Sequence, residues 1–147
     1  MKRTEATQKI LDAKRNKGLS FTEIAKQLGA DRVWTTAALL GQHPLSEEQA
    51  KQLVELLALP EEVIPVLMEI PTRGSLEQIP PTDPTIYRVY EVLQVYGPTI
   101  KALIHEDFGD GIMSAITFNL DVERVESEQG PRVQIVLNGK FLPYTWQ

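Results

Sequence analysis

The chain has 147 residues, a net charge of −5 and a sequence pI of about 5.1, so it has no overall attraction to nucleic acid or anionic membranes. It contains no cysteine, which excludes disulfides, thiolate catalysis and cysteine metal ligands. No apolar run approaches the ~18 residues of a membrane span, and the basic start lacks the hydrophobic core of a secretory leader. We therefore expect a cytoplasmic protein without membrane or nucleic-acid partners.

Residues 1–70 are predicted to form five short helices separated by clear start and stop signals. Capping boxes, in which a serine is followed three residues later by Glu or Gln, begin the second and fourth helices at Ser20 and Ser46. The fifth helix, at about residues 61–68, contains Pro65, which is expected to strain or bend it. This half is therefore expected to be a helical bundle.

A proline-rich segment divides the chain. Four prolines lie between positions 71 and 84, which predicts an extended connector. We therefore expect a helical domain at residues 1–70, a linker at 71–84 and a second domain at 85–147.

The second domain is predicted to begin with a helix and to continue with strands. Asp83 and Pro84 are typical of a helix start, and the "GP" at 97–98 is expected to break or restart that helix. The strict alternation of "SAITFNLDV" predicts a strand, and "RVQIVL" and "KFLPY" on either side of "NG" at 138–139 predict a hairpin. The fold class is thus α+β, with a helical bundle followed by a small domain containing three antiparallel strands. Three strands bury only one face, so a partner subunit is expected to cover more.

One arginine and one glutamate stand out on the helix that begins near residue 84. Val92 and Val95 flank Arg88 and Glu91, so the helix is apolar all round apart from this pair. One interpretation is a surface ion pair worth a few tenths of a kcal/mol, although the order Arg before Glu is unfavourable for the helix dipole. The flanking valines favour burial instead, and buried charges need partners or a charged ligand.

Ser114 is the other candidate residue. It starts the first predicted strand and shares the parity of the apolar residues Ile116, Phe118, Leu120 and Val122, so its hydroxyl is expected to point toward the buried face. The alternative is a packed serine whose hydroxyl bonds a backbone carbonyl.

The residues give weaker support to two other interpretations, a metal site and DNA binding. His105, Glu106, Asp107 and Asp110 form an acidic group that could be read as metal ligands, but a lone histidine beside acids near a helix end is more often surface or capping chemistry, and no HExxH spacing exists. We therefore expect no metal site.

The second and third helices are spaced like the helix-turn-helix of repressor-like domains, so a transcription regulator with a C-terminal oligomerisation or ligand-sensing domain is the alternative function. A recognition helix should present Arg, Lys, Asn or Gln to bases and phosphates. The segment "RVWTTAALL" offers only Arg32, and residues 1–70 carry nine Lys and Arg against ten Asp and Glu, a net charge of −1. A helical scaffold that does not bind DNA is the favoured interpretation.

Residues 81–122, "PTDPTIYRVYEVLQVYGPTIKALIHEDFGDGIMSAITFNLDV", resemble the cyanase family (cyanate hydratase, also called cyanate lyase) almost word for word. The resemblance extends from about Lys9 to Tyr144 and includes "LSFTEIA" and "VWTTAALLGQ" in the first half; the extreme N-terminus and the ending "YTWQ" are less similar. It implies a repressor-like domain that does not bind DNA, followed by the interlocking dimerisation and catalytic domain of a homodecamer, a ring of five dimers.

The resemblance also implies the site and its reaction. The family's catalytic Arg and Glu, three apart on this helix, fall on Arg88 and Glu91, and its Ser after "GDG" falls on Ser114. The implied activity is bicarbonate-dependent decomposition of cyanate to ammonia and carbon dioxide through carbamate. Bicarbonate is then a co-substrate, and no metal or other cofactor is expected. By the same resemblance, the helix is apolar all round because it is buried between subunits, with the charge pair facing a shared anion site.

Overall fold

A computed structural model describes residues 1–74 and 76–145, in which the chain forms six helices and two strands and divides after residue 75 into two compact units. The elements are α1 (Arg3–Asn16), α2 (Phe21–Gln27), α3 (Arg32–Leu39), α4 (Glu47–Leu57), α5 (Val63–Met68), α6 (Pro84–Phe108), β1 (Gly111–Val125) and β2 (Arg132–Pro143). The α+β class is confirmed, since a helical N-terminal part precedes a helix and an antiparallel pair of strands. The last two residues of "YTWQ" lie outside the described residues.

Both capping boxes form as expected in the N-terminal unit. Ser20 Oγ accepts the Glu23 N–H at 3.1 Å, while Glu23 Oε2 accepts the Ser20 N–H at 2.7 Å. Ser46 and Gln49 repeat this exchange at 3.2 and 3.1 Å. Each box satisfies two backbone donors at a helix start, and this fixes where α2 and α4 begin.

The N-terminal unit has its own hydrophobic core. The fully buried side chains come from all five helices and include Ile10, Ile24, Leu39, Leu53 and Leu67. Their burial stabilises the bundle because each removes a whole aliphatic side chain from water.

The last helix of the bundle contains a proline. Pro65 is the third residue of α5, and the first four N–H groups of a helix have no partner within it. The proline is therefore compatible with an uninterrupted helix.

Arg3, at the start of α1, forms hydrogen bonds with three other segments of the bundle. Its Nη1 donates to the Val66 carbonyl at 2.7 Å, and its Nη2 donates to the carbonyls of Ala38 and His43 at 3.0 and 2.9 Å. Burial lowers the pKa of the guanidinium, and the charge of Glu69 opposes that shift. The side chain thus supplies charge-assisted donors to carbonyls of α3, of α5 and of the loop after α3.

In the C-terminal unit, α6 runs without interruption from Pro84 to Phe108, so the predicted break at 97–98 is wrong. An interior proline removes one helical hydrogen bond and costs about 3 kcal/mol, yet α6 continues through Pro98. The residue before the proline is Gly97, whose missing Cβ avoids part of the usual clash with the proline ring.

The two strands form a single long hairpin whose turn differs from the predicted one. The chain reverses between β1 and β2, where Gly130 has a φ of +107° and Ser127 Oγ donates to the Gly130 carbonyl at 2.6 Å. The "NG" at 138–139 lies inside β2, where Asn138 pairs with Asn119 and Gly139 pairs with Phe118. The predicted turn at "NG" and the third strand are therefore wrong, because ladder pairing continues through both residues.

The C-terminal unit leaves most of its apolar side chains exposed in the single chain. None of the residues of α6 is buried. The rings of Phe108 and Phe141 stack at 5.0 Å between centroids and join the end of α6 to β2. A helix without buried side chains and a lone two-stranded hairpin are at best marginally stable in water, so this unit needs further surfaces to pack against.

Candidate active site

The candidate ion pair lies in the first two turns of α6. Asp83 Oδ1 accepts the N–H groups of Thr85 and Ile86 at 2.9 and 3.0 Å, and Pro84 occupies the first helical position. This cap sets the start of the helix, and with it the angular positions of Arg88 and Glu91.

Arg88 and Glu91 are brought together by the helix. Arg88 Nη1 lies 3.5 Å from Glu91 Oε2, and the two side chains are 70% and 48% exposed in the single chain. The Arg88 guanidinium carbon also lies 5.8 Å from the centroid of the Tyr87 ring. One contact at 3.5 Å occupies little of a guanidinium that carries five N–H donors in a planar fork. Most of the donors of Arg88 are therefore not engaged by Glu91.

Ser114 has a different environment, inside an irregular stretch of β1. It is 4% exposed, and its Oγ accepts the backbone N–H groups of Ile116 and Thr117 at 3.0 and 2.9 Å. A hydroxyl oxygen has two acceptor lone pairs, and these two N–H groups occupy both. The hydroxyl hydrogen is therefore the remaining hydrogen-bonding group of Ser114, so toward any further partner the side chain is a donor.

The strand around Ser114 departs from the predicted alternation. The ladder is interrupted between Met113 and Phe118, and Ile116, expected on the buried face, is 95% exposed. The expectation of one buried face from Ser114 to Val122 is therefore wrong for the single chain. The packed-serine alternative is also wrong in its detail, since Oγ accepts from backbone N–H groups rather than donating to a carbonyl.

Within one chain the three candidate residues fall into two groups. Arg88 and Glu91 form the ion pair on α6, whereas the hydrogen bonds of Ser114 stay within β1. The C-terminal unit thus presents a guanidinium paired with Glu91 and a serine hydroxyl that can act as a donor. No hydrogen bond joins the two groups within one chain.

Within the acidic group near the end of α6, His105 contacts the backbone at the end of the helix. His105 Nδ1 lies 2.9 Å from the Gly109 carbonyl, one turn further along the chain. Across residues 1–74 and 76–145, no three His, Asp or Glu side chains are grouped so that they could hold a metal ion. The absence of a metal stays a prediction.

The helix-turn-helix presents few groups that could read DNA. In α3, Thr35 is buried and the Thr36 hydroxyl donates to the Arg32 carbonyl at 2.8 Å. Trp34 stacks on His43 with the rings 6.0 Å apart. These side chains serve the packing of the bundle, which favours the scaffold interpretation over the regulator.

Fold and site together define a class of protein: a helical N-terminal unit joined to a helix–hairpin unit that carries an ion pair among exposed apolar side chains. Two family descriptions match the chain, "Cyanate hydratase, N-terminal" over residues 3–71 and "Cyanate lyase C-terminal domain" over residues 78–146. The chain belongs to the cyanate lyase family.

Relatives agree over nearly the full length. A cyanate hydratase of Mycolicibacterium vanbaalenii is 56% identical over 99% of this chain and 95% of its own length. One of Methylobacillus flagellatus is 54% identical over 98% of both chains. The crystal structure of a cyanase from T. urticae superposes with a TM-score of 0.82 at 40% identity, covering 94% of this chain and 96% of that one. The chain is therefore an enzyme, a lyase.

No helix in the described part of the chain, residues 1–74 and 76–145, has both the length and the apolar character needed to cross a membrane.

Proposed function

We propose that this chain is a cyanate hydratase that decomposes cyanate to ammonia and carbon dioxide, with bicarbonate as co-substrate and carbamate as intermediate. Arg88, Glu91 and Ser114 form the anion site, which neighbouring subunits of a decamer of five dimers share. The near full-length similarity to cyanate hydratases supports the substrate.

The position of the ion pair on α6 is the observation that carries the assignment of the site. Arg88 and Glu91 are the charged residues of a helix whose other side chains, from Ile86 to Ile100, are uncharged. None of that helix is buried within its own chain. When partner subunits cover these apolar side chains, the pair becomes enclosed in a dry environment, where a guanidinium attracts small anions far more strongly than in water.

The geometry of Arg88 suits two small anions. A planar guanidinium can bind carboxylate-like oxygens in a bidentate way, and its positive charge offsets the repulsion between bicarbonate and cyanate. In the enclosed site Glu91, 3.5 Å from Nη1, would hold the fork in place. Holding both reactants in an attack geometry is the main contribution to the rate, since it converts a bimolecular step into one within a bound complex.

The reaction itself balances without a redox step. A bicarbonate oxygen attacks the electrophilic cyanate carbon, and a C–O bond forms. The adduct takes up one proton and breaks the other C–O bond of that bridging oxygen, which releases carbon dioxide and leaves carbamate. Carbamate takes up a second proton and separates into ammonia and carbon dioxide without the enzyme.

Ser114 would act as a hydrogen-bond donor to a bound anion. Because the N–H groups of Ile116 and Thr117 occupy its oxygen, the hydroxyl can offer an anion only its proton. A fixed donor of this kind stabilises the negative oxygen that develops during attack at the cyanate carbon. Glu91 is the carboxylate closest to Arg88 and is the candidate for proton transfer.

Ammonia release tests this function. The purified protein should produce ammonia from cyanate, the rate should rise with added bicarbonate, and activity should survive dialysis against EDTA. A rate independent of bicarbonate in carbonate-depleted buffer would reject the mechanism. Activity that is lost on chelation and restored by a metal ion would reject the cofactor-free site.

A further inference from the structure

Beside Ser114, β1 has more residues than the segment of β2 that lies opposite it. Met113 pairs with Phe141 and Phe118 pairs with Gly139, so residues 114–117 of β1 lie opposite a single residue of β2, Lys140. This bulge takes up the extra length of β1 and lets the chain fold back so that Ser114 Oγ reaches two backbone N–H groups.

Gly139 borders this bulge at close range. A Cβ added at residue 139 would lie less than 3.0 Å from both the Ser114 carbonyl oxygen and Met113 Cγ. Real Cβ atoms essentially never approach other atoms so closely. The Met113 side chain could rotate away, but the Ser114 oxygen belongs to the backbone and moves only if the bulge moves.

We propose that Gly139 is a positioning residue for the reaction: its missing side chain lets β2 pack against the Ser114 backbone and holds the bulge that presents the Ser114 hydroxyl. The inference rests on the proposed function, in which that hydroxyl donates to an anion. It also gives the "NG" sequence a physical role, since Gly139 is needed for a close approach inside a strand and not for a turn.

Replacing Gly139 by alanine should displace the bulge without removing any functional group. A shift approaching 1 Å at a reacting group lowers the rate by about 100-fold. We expect kcat of Gly139→Ala to fall by ~10- to 100-fold with a smaller change in KM, because the displaced donor acts mainly on the charge that develops during attack.

A double-mutant cycle separates positioning from general damage. Gly139→Ala, Ser114→Ala and the double variant are compared by kcat and KM, with assembly size checked by sedimentation. If Gly139 acts through the Ser114 hydroxyl, Gly139→Ala should lower kcat less than about threefold in the Ser114→Ala background. Full multiplication of the two losses would overturn the positioning role alone. Wild-type activity of Ser114→Ala would overturn both this role and the proposed role of Ser114.

Two further variants complete the test: Lys140→Ala is a control, and Met113→Ala is an alternative background. Lys140→Ala changes the next residue, whose side chain points to the other face of β2, and should keep kcat within about threefold of the wild type. If Gly139→Ala does not assemble, the comparison is made in a Met113→Ala background, which removes the side-chain clash and leaves the backbone clash. There Gly139→Ala should still lower kcat at least ~10-fold relative to Met113→Ala. Equal rates would show that the Met113 side chain was the obstacle and would overturn the proposal.

Discussion

Arg88 and Glu91 form an ion pair one helical turn apart on α6, with 3.5 Å between Nη1 and Oε2 and with both side chains largely exposed in the single chain. Exposed pairs of this kind contribute about 0–1 kcal/mol. Helix stability therefore gives little reason to place the pair on an otherwise uncharged stretch of helix. Binding of an anion by the guanidinium gives a better reason, and it leads to the first prediction.

Arg88→Lys should lower kcat/KM by at least ~100-fold while far-UV circular dichroism and assembly size stay native. Lysine keeps the charge but loses the planar fork that orients two anions. Glu91→Gln should also reduce activity strongly, because it removes the carboxylate that fixes the guanidinium.

A matched control is available on the hairpin, where Arg124 forms an exposed ion pair with Glu126. Arg124→Lys should keep kcat/KM within about threefold of the wild type. Near-normal rates for Arg88→Lys would contradict anion binding by a guanidinium fork.

The second prediction concerns the N-terminal unit. Arg3→Lys should lower the free energy of unfolding by roughly 1–3 kcal/mol, because a single ammonium group cannot bond the carbonyls of Val66, Ala38 and His43 at the same time and loses part of these charge-assisted hydrogen bonds. The measurement is the urea midpoint by circular dichroism. Arg15→Lys, at an arginine that is 76% exposed, is the control and should shift the midpoint little. Equal midpoints for both variants would show that the buried donors of Arg3 contribute no stability.

The third prediction concerns assembly. Exposed apolar side chains cover both α6 and the hairpin and include Val92, Val95, Ile116, Val133 and Leu137. Surfaces of this kind in a stable protein are covered by other subunits. Sedimentation should show a closed assembly on the order of ten chains, without a populated monomer at micromolar concentration. A stable monomer that retains activity would rule out a site shared between subunits.

Local signals predicted the N-terminal unit well because its helices depend on short-range contacts. The hydrogen bonds of the capping boxes at Ser20 and Ser46 are visible in the sequence as residue types three apart. The same reasoning failed at Pro98 and at Gly139, where the surrounding helix and ladder override the local preference for a break or a turn.

Only part of the candidate site could be predicted from the sequence. The spacing of Arg88 and Glu91 predicts their contact on a helix, and the structure shows it. The parity of Ser114 predicted an inward hydroxyl but not the bulge that occupies its oxygen, because a bulge depends on how two distant strand segments pair. The assignment of catalysis to these three residues came from family resemblance, and their joint role stays a prediction.

The fourth prediction tests whether the site draws residues from different chains. Arg88→Leu and Ser114→Ala, each strongly reduced in activity alone, should partly complement each other when unfolded together and refolded as mixed assemblies. Within one chain no hydrogen bond joins Ser114 to the ion pair on α6. In a shared site, some positions receive an intact arginine from one subunit and an intact serine from another. Recovery should remain below the wild-type rate, because random mixing also builds sites with both defects.

Refolding each variant alone controls for reactivation by the procedure, and mass spectrometry establishes that the assemblies are mixed. Activity that rises with the mixing ratio and peaks near equal amounts supports a site built from several subunits. Mixed assemblies that stay as inactive as either parent would show that Arg88 and Ser114 act within one chain. The ion pair and the Ser114 hydroxyl of a single subunit would then have to bind the same anion.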